Sequence, residues 1–315
     1  MNRLHDAVEE YLAVRRTLGY QIPNAAAELR GFAAFMESNG ADFVTIPLAL
    51  CWAQRSRSAQ PPTWAERLGV VRRFAAWRSL TDPRTQVPPP GLLPHRRRRK
   101  PPYIYSDSEI ARIIAQAVRL PSAHGLRGTT FATLFGLLAA SGLRLGEALA
   151  LDDSDVDLED GILAIRKGKF GKSRFVPLHE SARVALVRYA EIRDRVLPRR
   201  SVAAFFVTER GTRIRHGMAE WTFAKVSAAI GLRAPAPPDR NGHGPRLHDM
   251  RHRFAAARLL AWYRTGADVE RELPKLATYL GHAHVRHSYW YLEAVPELLQ
   301  LATQRLIEQR TGGVA

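Results

Sequence analysis

The sequence predicts a mostly α-helical protein with two domains, the second of which also contains a small β-sheet. Apolar residues recur at helical spacing across residues 1–84, and two short apolar runs flank a glycine-containing turn within residues 156–178. Between these regions, residues 85–102 are rich in proline and arginine, which favours a linker. The chain has 315 residues, 46% of them hydrophobic, which is enough for two ordinary cores. We therefore expect domains at residues 1–84 and 103–315.

Three apolar stripes predict a helical bundle in the first domain. They consist of Leu4, Val8, Tyr11 and Leu12, of Leu29, Phe32, Ala33 and Met36, and of Trp64, Leu68, Val71 and Ala75. Asn24, the region around Gly40 and residues 61–63 are expected to separate the helices. The single cysteine, Cys51, excludes an internal disulfide and, beside Trp52, is expected to be a packing residue.

The predicted linker is defined by its composition. Residues 83–102 read P-R-T-Q-V-P-P-P-G-L-L-P-H-R-R-R-R-K-P-P, with too many prolines for a helix and too many charges for a core. We expect a solvated, semi-extended connector.

The second domain is expected to be α+β. Ser106 or Asp107 can cap a helix that runs to Ala117, and a second helix should end at Ala140. A hairpin follows, with strands at Ile162–Arg166 and Arg174–Leu178 and with Gly168 and Gly171 in its turn. The later predicted elements are a short strand at Ala203–Thr208, a loop over residues 235–245, a helix carrying His248, and a segment from Pro296 whose apolar face is Leu298, Leu299, Ala302 and Leu306.

The last third of the second domain contains residues suited to phosphate chemistry. His248 and Arg251 are three apart, His282 follows Leu-Gly, Tyr291 stands nine residues later, and Arg144 lies upstream. Arginine stays protonated, and its planar guanidinium forms paired hydrogen bonds to phosphate. Histidine donates hydrogen bonds or moves protons, and a tyrosine hydroxyl can attack phosphorus. This set predicts breakage and rejoining of DNA strands without a metal ion.

Four segments resemble the signature boxes of the tyrosine recombinase (phage integrase) family. Residues 140–151 are similar to its first arginine box, residues 166–178 to its lysine hairpin, and residues 247–255 and 279–291 to the boxes with the other catalytic residues. They occur in the family's order. The resemblance implies a helical core-binding (SAM-like) domain followed by a catalytic domain of the DNA breaking-rejoining type.

The resemblance also implies a role for each site residue. Arg144 and Arg251 would hold the scissile phosphate, while His248 and His282 would donate to its non-bridging oxygens or assist proton transfer. Tyr291 would be the nucleophile that forms a covalent phosphotyrosine.

Two further residues match supporting positions of the family. Lys172 falls where the family has a lysine general acid, and Glu147 where it has an acidic residue that braces the site. Because Glu147 is three residues after Arg144, one helix face should carry both side chains. Arg144 follows the mostly apolar residues 131–143, whose burial should hold it toward the interior.

Alternatives exist for three of these assignments. Tyr289 is the fallback nucleophile, and Lys167 and Lys169 lie in the same turn as the predicted general acid. His248 and His252 are four apart and could bind a metal instead. The zinc-protease pattern requires a Glu directly after the first His, and Asp249 stands there. A metal site is therefore disfavoured.

Charge independently indicates a nucleic-acid partner. The formal net charge is +17 and the sequence pI is about 10.8, so phosphate neutralisation should dominate binding. Charge alone would also suit a ribosome-associated or membrane-surface protein. The sequence has neither a long apolar span nor a recognisable signal peptide, and predicts a cytoplasmic, nucleoid-associated protein without membrane partners. The linker residues expected to follow the DNA backbone are Arg96, Arg97, Arg98, Arg99 and Lys100.

The family resemblance implies a site-specific recombinase or integrase that acts on double-stranded DNA without cofactors, ATP or metal. Four copies of the chain would act on two DNA sites, with a monomer as the free state and sister recombinases as candidate partners. The form of residues 279–292 is more similar to transposon-encoded integrases. Three rival interpretations are a type IB topoisomerase, a catalytically silent DNA-binding accessory protein and a metal-dependent nuclease. The C-terminal tail either packs on its own domain or docks on a neighbouring copy.

Overall fold

The computed structural model divides the chain into two compact units, residues 1–100 and 101–315. The structure describes residues 3–20, 22–56, 59–94, 102–166, 173–234, 244–281, 297–301 and 303–304. Helices dominate these ranges, and the strands within them form one three-stranded sheet, so the predicted mostly α fold is confirmed. Among the described helices, none combines the length and apolar character needed to cross a membrane.

The first unit contains four helices that share one core. They are α1 (Arg3–Thr17), α2 (Pro23–Ser38), α3 (Ile46–Gln54) and α4 (Pro61–Arg78). The three predicted stripes face this core; all their members are buried except Trp64, which is partly buried. Tyr11 of α1 packs edge-on against Phe74 of α4, with ring centroids 5.7 Å apart. Pro23 and Pro61 each begin a helix, where the missing N–H has no intrahelical partner to lose.

Helix α3 was not among the predicted elements, because its nine residues form a short apolar run with little helical periodicity. Thr45 caps it by accepting a hydrogen bond from the N–H of Leu48. The prediction that Cys51 packs in a core is wrong. Cys51 is exposed on α3, and its neighbour Trp52 is the residue that enters the core.

The first half of the predicted linker is part of the first unit, contrary to the expected solvated connector. The N–H of Gln86 donates to Val44 and its side chain accepts from the N–H of Ile46. Arg72 donates to the carbonyl groups of residues 88 and 89, and Leu93 is buried in the unit's core. Proline lacks an N–H but keeps its carbonyl, so this proline-rich segment can still be fixed by donors from the bundle.

Within the described ranges, the second unit combines the sheet with a larger set of helices. The helices are α5 (Asp107–Val118), α6 (Leu126–Ser141), α7 (Leu145–Ala150), α8 (Glu180–Val196), α9 (His216–Ala229), α10 (Leu247–Arg264) and α11 (Val269–Leu280). The predicted helix ends at Ala117 and Ala140 each lie one residue from the observed ends. Ser106 is the N-cap of α5 and forms a capping box with Glu109.

Helix α6 lies at the centre of this unit and packs against α5, α8 and α10. Most of its residues are buried, as expected for a helix that is apolar around its whole circumference. It ends at Gly142, which adopts the left-handed conformation with φ +62°.

The sheet is antiparallel, in the order β1 (Val156–Asp157), β2 (Ile162–Ile165) and β3 (Arg174–Pro177). β2 and β3 are the predicted hairpin strands, with Ile165 opposite Arg174. The expected strand at Ala203–Thr208 is wrong: this segment forms only isolated bridges from Ala204 to Asp152 and from Val207 to Arg213.

The described residues that follow Pro296 pack partly on their own unit. Leu298 is fully buried in a cluster with residues of α10 and α11, whereas Leu299 is half exposed, so the predicted common apolar face is only partly correct. Ala302, Leu306 and most of the predicted loop, residues 235–243, lie outside the described residues.

Two glycines of α6 should respond oppositely to substitution by alanine. A Cβ at Gly128 would overlap the carbonyl oxygen of Val118, so we expect Gly128→Ala to destabilise the unit by about 1–3 kcal/mol. A Cβ at Gly136 would lie 3.5 Å from the Cδ1 of Ile114, an ordinary contact, so Gly136→Ala should stabilise it by about 0.5–1 kcal/mol. Chemical denaturation of the two variants measures both changes; equal effects would contradict the helix packing.

Candidate active site

Arg144 is positioned by the end of α6. Arg144 follows two residues after Gly142, has an extended backbone conformation and is the N-cap of α7. Glu147 lies in the first turn of α7, and its carboxylate accepts from both the N–H (3.1 Å) and the Nη1 (2.7 Å) of Arg144. The expected pairing of the two side chains is therefore present, but it is a capping interaction at a helix start instead of a shared helix face.

The Glu147 carboxylate is shared between two arginines. Arg174, the first residue of β3, donates from Nη1 (3.1 Å) and Nη2 (2.8 Å) to its two oxygens. Burial raises the pKa of Glu147, but the hydrogen bonds and charges of Arg174 and Arg144 outweigh burial and bring the pKa to about 2. Glu147 is therefore ionised at neutral pH and holds two guanidinium groups together.

The C-terminal end of α11 brings a third arginine to the same place. Its last carbonyls have no partner within the helix, and each accepts from a different guanidinium. Tyr279 O accepts from Arg174 Nε (2.7 Å), Leu280 O from Arg251 Nη2 (2.5 Å), and Gly281 O from Arg144 Nη2 (3.1 Å).

Arg251 also connects α11 to the end of α6. Its Nη1 donates to the carbonyl of Gly142 at 2.8 Å, and the residue is only 2% exposed. The structure thus brings together Arg144, Arg251 and Glu147, three of the predicted site residues, at one point.

His248 lies one turn before Arg251, near the start of α10. Much of the residue faces solvent, but burial of the imidazole and the charge of Arg251 lower its pKa below the ordinary value of 6.5. The His252 ring lies edge-on to it, with centroids 4.8 Å apart, and burial and His248 lower the pKa of His252 to about 4. Within the described ranges, no group of three metal-ligating side chains surrounds this pair, so the metal alternative finds no third ligand there.

A cleft of about 550 Å³ opens beside these residues. The polar and charged side chains that line it are Arg144, Glu147, Arg166, His216, Glu220 and His248. Arg166 pairs with Asp155 at 2.5 Å. The lining thus combines two arginines, two glutamates and two histidines.

Several predicted residues lie outside the part of the chain that the structure describes. They are Lys172, His282, Tyr291 and the linker residues Arg96, Arg97, Arg98, Arg99 and Lys100. Of the tyrosines near the predicted nucleophile, Tyr279 is described; it is partly buried and stacks on Phe254 with ring centroids 5.5 Å apart.

Arg174 is the residue that sequence reasoning missed. The sequence predicts Arg174 as the first residue of a hairpin strand and gives it no role in the site. A signal was available, because a charged residue at the start of a largely apolar strand, two residues after the predicted Lys172, needs a buried partner. The identity of that partner depends on a contact with Glu147, 27 residues away in the chain.

Comparison with known proteins identifies the family. The model of the phage integrase family matches residues 106–297, more than half of the chain. The chain belongs to the phage integrase family. The sequence-based expectation of a tyrosine-type site-specific recombinase is thereby confirmed.

Relatives of this integrase cover nearly the whole chain. The putative integrase/recombinase y4rB of Sinorhizobium fredii is 46% identical over 97% of this chain and 98% of its own length. The tyrosine recombinase XerD of Caulobacter vibrioides is 30% identical over 93% of this chain and 92% of its own length. Among solved structures, the Tn1549 transposon integrase in complex with transposon right end DNA has the same fold, with a TM-score of 0.59 at 15% identity over 96% of this chain and 99% of that chain.

The lowered pKa of Glu147 predicts how stability depends on pH. Because the folded pKa lies near 2 and the ordinary value is 4.5, Glu147 contributes stability above about pH 4.5 that is lost as the pH falls toward 2. We expect the difference in unfolding free energy between wild type and Glu147→Gln to shrink by about 3 kcal/mol from pH 6 to pH 2.

Chemical denaturation across this pH range measures the effect. Glu180→Gln is the matched control, because Glu180 is also paired bidentately with an arginine, Arg183, but is exposed. Solvent screens that pair, so its variant should track wild type at every pH. A parallel course of wild type and Glu147→Gln would contradict the assigned ionisation.

Proposed function

We propose that this integrase cleaves and rejoins double-stranded DNA through a 3' phosphotyrosyl intermediate, with neither ATP nor a divalent metal required. One observation carries the proposal. Arg144 and Arg251 come from distant parts of the chain, and their guanidinium groups donate to the adjacent carbonyls of Gly281 and Leu280. A pair of fixed guanidinium groups is the donor set that a phosphate with growing negative charge needs.

In the proposed reaction the phenolic oxygen of Tyr291 attacks phosphorus, and the bond from phosphorus to the 5' oxygen breaks. Lys172 gives its proton to the departing 5' oxygen. The phenolic proton leaves to a histidine, His248 or His282, or to water. A 5' hydroxyl of the partner strand later reverses the step, so the energy of the ester is kept. Atoms and charge balance without hydrolysis.

Access to the two arginines differs. The Arg144 side chain is 23% exposed and lines the cleft, whereas Arg251 is 2% exposed. A DNA phosphate therefore meets Arg144 first.

The net charge of the chain and a solved structure with the same fold support DNA as the proposed partner. The net charge of +17 favours the DNA backbone. The solved structure of the Tn1549 integrase holds transposon DNA, and by analogy we propose a mobile element with specific recombination sites as the substrate. Strand exchange between two sites requires four copies, so we propose a homo-tetramer on DNA and a monomer when free, with sister recombinases as further partners. Arg96, Arg97, Arg98, Arg99 and Lys100 would follow the DNA backbone.

The nucleophile is tested by covalent trapping on a nicked suicide substrate. We expect Tyr291→Phe to form no adduct, because phenylalanine lacks the hydroxyl that attacks phosphorus, and Tyr289→Phe, the matched control, to form it. Denaturing gel electrophoresis measures the adduct. An adduct with the Tyr291→Phe variant would refute the nucleophile; loss of cleavage with a chelator would instead favour a nuclease.

Plasmid relaxation distinguishes the proposed recombinase from a type IB topoisomerase. A type IB topoisomerase relaxes a supercoiled plasmid that has no recombination site, whereas the proposed recombinase needs paired sites. Specific DNA binding by wild type without any adduct would favour the silent accessory protein.

The general acid is tested with a leaving group that needs no proton. A 5'-bridging sulfur leaves as a thiolate, so this substrate should restore cleavage by Lys172→Ala to within about tenfold of wild type, after a loss of about 100-fold or more on the oxygen substrate. Single-turnover cleavage measures both rates. The sulfur substrate should not rescue Arg144→Ala, because Arg144 stabilises charge on the non-bridging oxygens and does not protonate the leaving group. Failure of rescue for Lys172→Ala would point to Lys167 or Lys169.

A further inference from the structure

Arg174 occupies the junction between the sheet and the candidate active site. It begins β3 opposite Ile165, and its side chain is 12% exposed. Each of its three nitrogens donates a hydrogen bond, Nε to Tyr279 O and both Nη atoms to Glu147. The side chain therefore joins three elements, β3, α7 and the end of α11.

Arg174 and Arg144 share the oxygens of one carboxylate. Oε1 of Glu147 accepts from Nη1 of both arginines, and Oε2 accepts from Nη2 of Arg174 and from the N–H of Arg144. Without Arg174, two of these four hydrogen bonds are lost and the carboxylate is free to rotate about its side-chain bonds. Its remaining partner, Arg144, then loses the fixed acceptor that orients its guanidinium.

The second anchor of Arg144 also depends on Arg174. Arg144 donates to Gly281 O, two residues after the carbonyl that Arg174 holds. Gly281 has φ +67°, and a Cβ there would lie 2.9 Å from Nη1 of Arg174. Glycine at this position thus lets the guanidinium of Arg174 lie directly against the end of α11.

We infer that Arg174 is a positioning residue for Arg144, acting through Glu147 and the end of α11, and that it does not contact the DNA phosphate itself. The inference rests on the proposed function. Arg144 lines the cleft, but Arg174 does not, and the side chain of Arg174 is 12% exposed against 23% for Arg144. Because Arg174 is fixed at the start of β3, the position of the sheet determines how the phosphate-binding guanidinium of Arg144 is oriented.

The test compares Arg174→Gln with wild type on two suicide substrates. On a phosphodiester we expect single-turnover cleavage to slow by about 100-fold, the cost of a misplaced catalytic group. In a methylphosphonate the scissile group is neutral, so it needs less stabilisation from a guanidinium. The defect of Arg174→Gln should therefore shrink to within about tenfold, in parallel with that of Arg144→Ala. DNA binding, measured by electrophoretic mobility shift, should be unchanged.

A double variant and a matched control complete the design. If Arg174 acts through Arg144, cleavage by Arg144→Ala with Arg174→Gln should be no slower than by Arg144→Ala alone. Arg183→Gln is the control, because Arg183 also donates bidentately to a glutamate, Glu180, and to one carbonyl, Leu158 O. It lies outside the cleft residues, so its variant should cleave at the wild-type rate.

The outcomes separate the two levels of the proposal. If wild type forms no adduct, the proposed function fails and the positioning role falls with it. The positioning role alone is wrong if wild type forms the adduct and Arg174→Gln cleaves at the wild-type rate. It is also wrong if Arg174→Gln slows cleavage of the phosphodiester and of the methylphosphonate by the same factor, or if it slows the Arg144→Ala variant by as much as it slows wild type. Should Arg174→Gln fail to unfold cooperatively, Arg174→Lys, which keeps the charge but not the three-donor geometry, must show the same recovery on the methylphosphonate.

Discussion

The carbonyl groups at the end of α11 are the point on which the candidate active site depends. A helix leaves its last carbonyls without internal partners, and here they are satisfied by arginines from three other places: Arg174 of β3, Arg251 of α10 and Arg144 before α7. Elements far apart in the chain are therefore held at one location by hydrogen bonds that the helix end requires in any case. The next residue in the sequence is His282.

The same arrangement explains how three positive charges can lie together in a partly buried site. Among the described residues, the carboxylate of Glu147 accepts hydrogen bonds from both Arg144 and Arg174. The negative end of the α11 dipole and the carbonyl oxygens further stabilise the guanidinium groups. Carbonyl dipoles orient a guanidinium without neutralising its charge. The guanidinium groups therefore keep their positive charge while protein acceptors fix their orientation.

Much of the fold and of the candidate site could be predicted from residue types and spacing. The other features depend on contacts between residues that are far apart in the chain. The burial of α6 follows from its composition, and the pairing of Arg144 with Glu147 follows from their separation. The packing of residues 85–94 on the first unit could not be predicted. The composition of the segment shows its prolines, but it does not show that Arg72 donates hydrogen bonds to their carbonyl groups. Arg174 was missed for a similar reason: a strand's pattern says which face is buried, but the partner of a buried charge comes from another element.

The electrostatics of His248 narrow its role in the proposed reaction. Burial of the imidazole and the charge of Arg251 lower its pKa below the ordinary value, which favours the neutral form. A neutral imidazole has one donor and one acceptor nitrogen, and so it can take up a proton as well as donate a hydrogen bond. A protonated histidine would only add a further cation beside Arg251. In this setting His248 is better suited to accept the phenolic proton than to replace a guanidinium, which leaves charge stabilisation to the arginines at the end of α11.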